Sequence, residues 1–327
     1  MVRQLFQFCY LGDMLLFGNH EQLNVGEEIQ EIYLDYRVKQ LMSCFNPSNG
    51  WKYCFTSMID FLENCFTHYQ MFILNPKRKK QVQTNDNNSN TEKDDSPSDS
   101  GVRTRQSFVE FFIEKFQAIA LPLKKYINIL RTHIARSFIM EHNLDGLARL
   151  NVSLDSFEAL VSDGNIISER LEELFYPQEI QNSSSESDVV SADERSFLQN
   201  RTKCISQLKS LQVSLGKQKL PDVVTEKSIR EFCLQTASLM LSTASGSFML
   251  HSLDIKPLDI LVIDEAAQLK ECESIIPLLL PEINHAVLIG DEHQQPSIVC
   301  ILKTITLVNS SIFPRSLLLF SLIMPRK

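Results

Sequence analysis

LVIDEAAQL, residues 261–269, decides how the chain is read. An apolar run ends abruptly in two carboxylates, Asp264 and Glu265, followed by two alanines and the amide of Gln268. The surroundings repeat the pattern. LDILVIDE (258–265) and HAVLIGDE (285–292) are short apolar runs, each closing on an acidic pair. They have the texture of parallel strands buried on both faces. Between them, AAQLKECESIIPLLL has room for one crossover helix, and ASLMLSTAS (237–245) reads as a further strand. The unit is β-α-β, which implies a parallel sheet with right-handed crossovers and an α/β fold.

Ligands of such sheets bind outside the carboxyl ends of the strands. An Asp there can hold Mg²⁺ through its water shell, and a neighbouring Glu can orient or deprotonate the water that hydrolyses a nucleotide. Asp291 and Glu292 close the next run, and Gln294 follows, where an amide can sense a γ-phosphate. A single acidic pair could equally solvate a strand end or favour the N-terminus of the next helix. Two pairs on consecutive strands, each followed by a glutamine, favour a nucleotide site. Asp264 and Asp291 are then expected to end adjacent parallel strands, their Cα atoms within roughly 10 Å, with LMLSTA on the other side of the Asp264 strand.

These motifs resemble those of superfamily 1 RNA/DNA helicases of the Upf-type/senataxin-like group, most closely the plant sequences. LVIDEAAQLKECESIIPLLLP is similar to their DEAxQ segment, LIGDEHQQP to their GDxxQLP motif, and LMLSTASGS to the strand and loop before them. The likeness extends over most of 11–299. It implies a partial RecA-like, P-loop-type NTPase lobe with a large, mostly α-helical insert. It also implies ATP and Mg²⁺ as ligands and single-stranded RNA or DNA as partner. Carried over by residue, Asp264 binds Mg²⁺, Glu265 is the catalytic base, Gln268, Gln294 and Asp291 sense the nucleotide, and Thr243 and Ser245 contact nucleic acid. The corresponding division is 1–76 for the start of the lobe and insert, 77–106 for a disordered linker and 107–181 for the helical insert. Residues 182–196 form a flexible acidic linker, 197–299 the core with both acidic motifs, and 300–327 a divergent tail.

The family pattern also contains parts that these residues lack. A phosphate-cradling loop needs G-x-x-x-x-G-K-[ST]. Of ten glycines only Gly216 precedes a lysine, with no partner glycine five positions earlier and no hydroxyl after Lys217. Nor does a second lobe follow the GDxxQ motif. The resemblance therefore implies a partial first lobe that is inactive alone, or a non-catalytic nucleic-acid-binding or interaction remnant. The edge beside HAVLIG, left without the phosphate-loop strand, is expected bare or covered by residues from 1–10 or 301–324. An unrelated α/β hydrolase has no support, because no G-x-S-x-G occurs.

Composition sets the remaining bounds. The 327 residues carry a net charge of −8, so nucleic-acid contact has to be a local patch rather than a global field. Eight cysteines show no C-x-x-C pair or zinc spacing, as expected of reduced intracellular thiols. LLLFSLIM (317–324) is far short of the ~20 residues a membrane span requires, so no membrane partner is expected. Lys77-Arg78-Lys79-Lys80 fits a solvated linker edge, or a nuclear-import or phosphate-contact patch, and the expected location is nuclear, with cytoplasmic as alternative. Residues 107–139 repeat apolar positions at helical spacing. Ser107 and Glu110 form a capping box there, and Pro122 is expected to bend or end the helix. Helices are also expected over 28–43 and 56–74, with two shorter ones around Asp163-Gly164. The polar tracts 81–101 and 182–195 cannot bury enough surface to offset their ordering entropy. Amide exchange in both is predicted to be fast, and slow exchange across either would contradict that reading.

Overall fold

The computed structural model describes residues 9–18, 27–74, 106–162, 172–175, 192–221, 224–253, 255–290 and 321–325. The tract 81–101, most of the tract 182–195, and Asp291, Glu292 and Gln294 lie outside them. The chain forms two compact units, one of 1–52, 125–147 and 213–327, the other of 53–124 and 148–212.

The first unit holds the sheet, and with its helices the chain has an α/β fold. The strands are β1 (Met14–Phe17), β2 (Leu239–Ser242), β3 (Leu258–Ile263), β4 (His285–Leu288) and β5 (Ser321–Pro325), in the order β1-β2-β5-β3-β4. β1 pairs parallel with β2 and β3 with β4, while β5 is antiparallel to both its neighbours. β1 to β4 therefore all point one way. Their register is aligned across the whole sheet. Phe17 faces Ser242, Ser242 faces Ser321, Ser321 faces Ile263, and Ile263 faces Leu288. The next residue of each parallel strand (Gly18, Thr243, Asp264 and Ile289) leaves the same edge.

Two expectations are corrected here. β2 does not flank β3. The apolar run 321–325 hydrogen-bonds to both and separates them, and it does not cover β4. β4 is not buried on both faces either. Among the described residues it is the terminal strand, and all four of its residues are exposed. β1 and β2 are instead the strands buried at every position.

Helices α1 (Glu27–Gln30), α2 (Leu34–Phe45) and α7 (Glu226–Thr236) also belong to this unit. α2 buries Leu34, Val38, Leu41 and Phe45 on one stripe. α7 starts at a capping box between Thr225 and Ser228 and buries Ile229, Phe232 and Cys233. The two helices meet through an edge-to-face contact of Phe45 with Phe232 at 6.5 Å and an Asp35–Arg230 ion pair at 2.7 Å. Arg37 lies fully buried on the inner face of α2. It donates to the carbonyls of Leu11 (2.7 Å), Gly12 (3.2 Å) and Glu31 (3.3 Å), which ties the chain entering β1 to the start of α2. Burial, and secondarily the Arg37 charge, pushes the His133 imidazole down to about 3, so this buried ring is neutral.

In the second unit lie stretches of α3 (Trp51–Leu74), α4 (Phe108–Thr132), α5 (Glu141–Ser162) and α6 (Ala192–Gly216). Its core is aromatic. Phe112 lies within 5.1–6.3 Å, ring centre to ring centre, of Phe61, Phe108, Phe116, Phe157, Phe175 and Phe197. Ser107 and Glu110 do form the capping box of α4, with bonds of 3.0 and 3.3 Å. Pro122 does not end α4, which runs on to Thr132. One lost backbone hydrogen bond is outweighed by the buried stripe of Phe112, Phe116, Ala120 and Leu123 along the same helix. α3 departs from helical geometry at Asn64 (φ −117°, ψ 24°), and Arg201 Nε donates to the Leu62 carbonyl beside the kink at 2.7 Å. α6 begins at Ala192, inside the stretch read from composition as an acidic linker. Asp193 and Glu194 there complement the positive end of the helix.

Gly12 supplies a direct test of the seam before β1. A Cβ at Gly12 would fall on the Ile134 carbonyl oxygen and lie 2.9 Å from a Tyr10 ring carbon, whereas one at Gly216 would meet nothing within 4 Å. Gly12→Ala is predicted to cost about 1–3 kcal/mol in chemical denaturation, as overpacking does. Gly216→Ala is predicted to be neutral or to stabilise by up to about 1 kcal/mol. Equal effects of the two would contradict the packing described.

Candidate functional site

β3 delivers Asp264 to the carboxyl edge, and the chain turns there within one residue. Glu265 takes a left-handed conformation (φ 54°, ψ 37°), uncommon for a side chain of its kind. The turn is held by its own acids. The Glu265 N–H donates to Asp264 Oδ1 at 3.1 Å, the Gln268 N–H donates to the Glu265 carbonyl at 3.0 Å, and Gln268 Nε2 donates to Glu265 Oε2 at 3.0 Å. Each carboxylate thus keeps one oxygen uncommitted by these bonds. Both side chains are half-buried. Helix α8 (Glu271–Leu278) follows, as the predicted crossover.

The end of β4 is locked against this turn. The Ile289 N–H donates to the Ile263 carbonyl at 2.8 Å, and the Ala266 N–H donates to the Ile289 carbonyl at 2.7 Å. Gly290 makes the approach possible, because a Cβ there would lie 2.7 Å from the Ala267 nitrogen. Gly290 thus brings the end of β4 against the turn that follows Asp264. The Asp264–Asp291 separation, Gln294 and Glu292 fall outside the described residues.

Thr243 and Ser245 leave the same edge from β2. The Thr243 hydroxyl accepts from the Gly246 N–H at 3.0 Å, and its carbonyl accepts from the Ser247 N–H at 3.1 Å. Ser245 is exposed. β1 ends alongside, since a Cβ on Gly246 would lie 3.7 Å from the Gly18 Cα. One strand separates β2 from β3, which sets Thr243 and Asp264 roughly 10 Å apart at the usual strand spacing. The structure therefore brings Asp264, Glu265 and Gln268 into one hydrogen-bonded turn and places Thr243 and Ser245 along the same edge. Sequence reasoning missed Gly290. The signal available was a glycine directly after an apolar strand, which marks a close backbone approach.

The residues suit Mg²⁺ of the kind that retains most of its water shell. Among the described residues no cluster of three or more His, Cys, Asp or Glu side chains could cage a metal ion. A single strand-end aspartate with one oxygen spare fits an ion held mainly by water and phosphate oxygens.

The strained turn can be tested without any ligand. Glu265→Gly and Glu265→Val remove the same carboxylate and the same bond from Gln268. They differ in tolerance of the left-handed backbone. Glu265→Val is predicted to be less stable than Glu265→Gly by at least about 1 kcal/mol in denaturant titration. A valine variant as stable as the glycine variant would show that the turn is not held in this conformation.

Comparison with known proteins fits this arrangement. A family model described as an AAA domain matches residues 9–301, which takes in β1 to β4 and both acidic motifs. No curated protein and no solved structure matches the chain. That AAA domain is the one carried by Upf-type and senataxin-like helicases. Its match over most of the length, together with acids set at the carboxyl edge of the parallel strands, makes this chain a member of the Upf-type/senataxin-like family of superfamily 1 helicases.

Proposed function

We propose that the chain is the nucleotide-facing part of the first RecA-like lobe of an ATP-dependent RNA/DNA helicase, related most closely to the plant members of the family. The observation that carries this reading is the Asp264–Gln268 turn, with its two part-satisfied carboxylates at the carboxyl edge of β3. Asp264 would hold Mg²⁺ through water. When bound with ATP, that ion neutralises phosphate charge. Glu265 is the base for the hydrolytic water. The Gln268 amide pins one of its oxygens and leaves the other to accept the proton. Gln268, Gln294 and Asp291 sense the γ-phosphate, and Thr243 and Ser245 contact a single strand of RNA or DNA. A nuclear role in RNA processing accompanies this reading, with the cytoplasm as alternative.

The 327 residues contain no G-x-x-x-x-G-K-[ST] loop, the motif that would cradle the phosphates these carboxylates would act on. The chain by itself is therefore predicted to hydrolyse no ATP at a helicase-like rate and to unwind nothing. An arginine finger, which the general mechanism values at about 10³–10⁵ in rate, would come from a further lobe. The second reading is a non-catalytic nucleic-acid-binding or interaction remnant, favoured by the same missing loop. The test is an ATPase assay on the purified chain, with and without single-stranded RNA, beside Glu265→Gln. No turnover is expected. Turnover abolished by Glu265→Gln would mean that other residues cradle the phosphates. Binding of single-stranded RNA without turnover supports either reading against a chain that binds no nucleic acid.

A further inference from the structure

We propose that Phe248 is a stacking platform for one base of a single strand lying along the carboxyl edge of the sheet. The inference rests on the nucleic-acid part of the proposed function and extends it by naming a residue and a mode of contact. Phe248 lies in the 3-10 segment Ser245–Ser252, which begins two residues after Thr243. That segment turns Ser247 and Leu250 into the core, while Phe248 between them stays 69% exposed. The fold itself therefore makes little use of this ring.

The ring is nevertheless held in place. It lies 6.0 Å from the His251 imidazole, centre to centre, at a tilt of 40°. His251 is anchored in turn, since its Nε2–H donates to the Ile276 carbonyl at 2.9 Å. That carbonyl belongs to the last turn of α8. The Leu280 N–H, four residues on, bonds to Pro277 instead and leaves it open. Phe248 is thus an exposed aromatic shelf backed by a fixed imidazole, three residues along the chain from Ser245. Every base has a π-face, so such a shelf captures single strands with little sequence preference. The shelf also hangs from α8, which starts three residues after Gln268. One short helix therefore connects it to the acidic turn.

The test uses the full chain and fluorescein-labelled oligo-U and oligo-dT, read by anisotropy at low salt. Phe248→Ala and Phe248→Leu are expected to weaken binding about five- to a hundredfold, the range that loss of one base stack produces. Phe248→Trp is expected to keep binding and to lose indole emission as oligonucleotide is added. The native Trp51, only 2% exposed, stays silent in that experiment. Thermal melts of all variants should match the wild type, since the ring is outside the core. Wild-type binding with an unaffected Phe248→Ala variant, or an unquenched Phe248→Trp indole at saturation, overturns the stacking proposal and leaves the nucleic-acid reading intact. A wild-type chain that binds neither oligonucleotide overturns both.

Discussion

Backbone hydrogen bonding across β1-β2-β5-β3-β4 sets where Thr243 and Asp264 stand. Because Phe17, Ser242, Ile263 and Leu288 fall in one row, the four parallel strands end at the same edge, and the turns after β2 and β3 leave from it. A slip of one residue in β3 would flip its side chains to the other face and carry Asp264 away from the row. Two tight features guard against that slip. The Ile289 and Ala266 amides tie the ends of β3 and β4 together, and Gly290 leaves no side chain to hold them apart. On the other flank, buried Arg37 ties the Leu11 and Gly12 carbonyls, where the chain enters β1, to the Glu31 carbonyl before α2.

The acidic turn and the edge it occupies were legible in the sequence because they depend on local pattern. Apolar runs of four to six residues ending in carboxylates mark parallel strands, and the crossover between β3 and β4 has room for only one helix. Ser107 and Glu110 announced the start of α4 by their spacing alone. What the sequence hid depends on competition between distant segments. Nothing in the run 321–325 says that it pairs with β2 and β3 rather than with β4. The β2–β3 neighbourhood was misplaced for that reason. Exposure of β4 is likewise a property of its place in the sheet and not of its residues, which are as apolar as those of β2. Pro122 misled in the other direction, since a local rule about helix ends gave way to burial along the helix. The linkage from His251 to Ile276 had no pattern to show. A lone histidine in a short 3-10 segment becomes informative only once its partner carbonyl is located.

The acids, the hydroxyls of Thr243 and Ser245 and the Phe248 ring belong to one mechanical assembly. β3 ends in the acidic turn, the turn leads into α8, and the last turn of α8 holds the segment that follows β2. The acidic turn and the segment after β2 are therefore joined by a short covalent and hydrogen-bonded path. A family of motors that couples nucleotide state to its grip on a strand requires a path of this kind.

The central claim is that Asp264 and its row form a single cation- and phosphate-facing edge. Paramagnetic broadening of backbone amide signals by Mn²⁺ with ATP measures this most directly, because it detects weak binding that yields no turnover. Broadening is predicted first at Thr243 and at Glu265 to Leu269, together, and Asp264→Asn should abolish it at both. Broadening confined to other acidic surfaces, or unchanged by Asp264→Asn, would contradict the account.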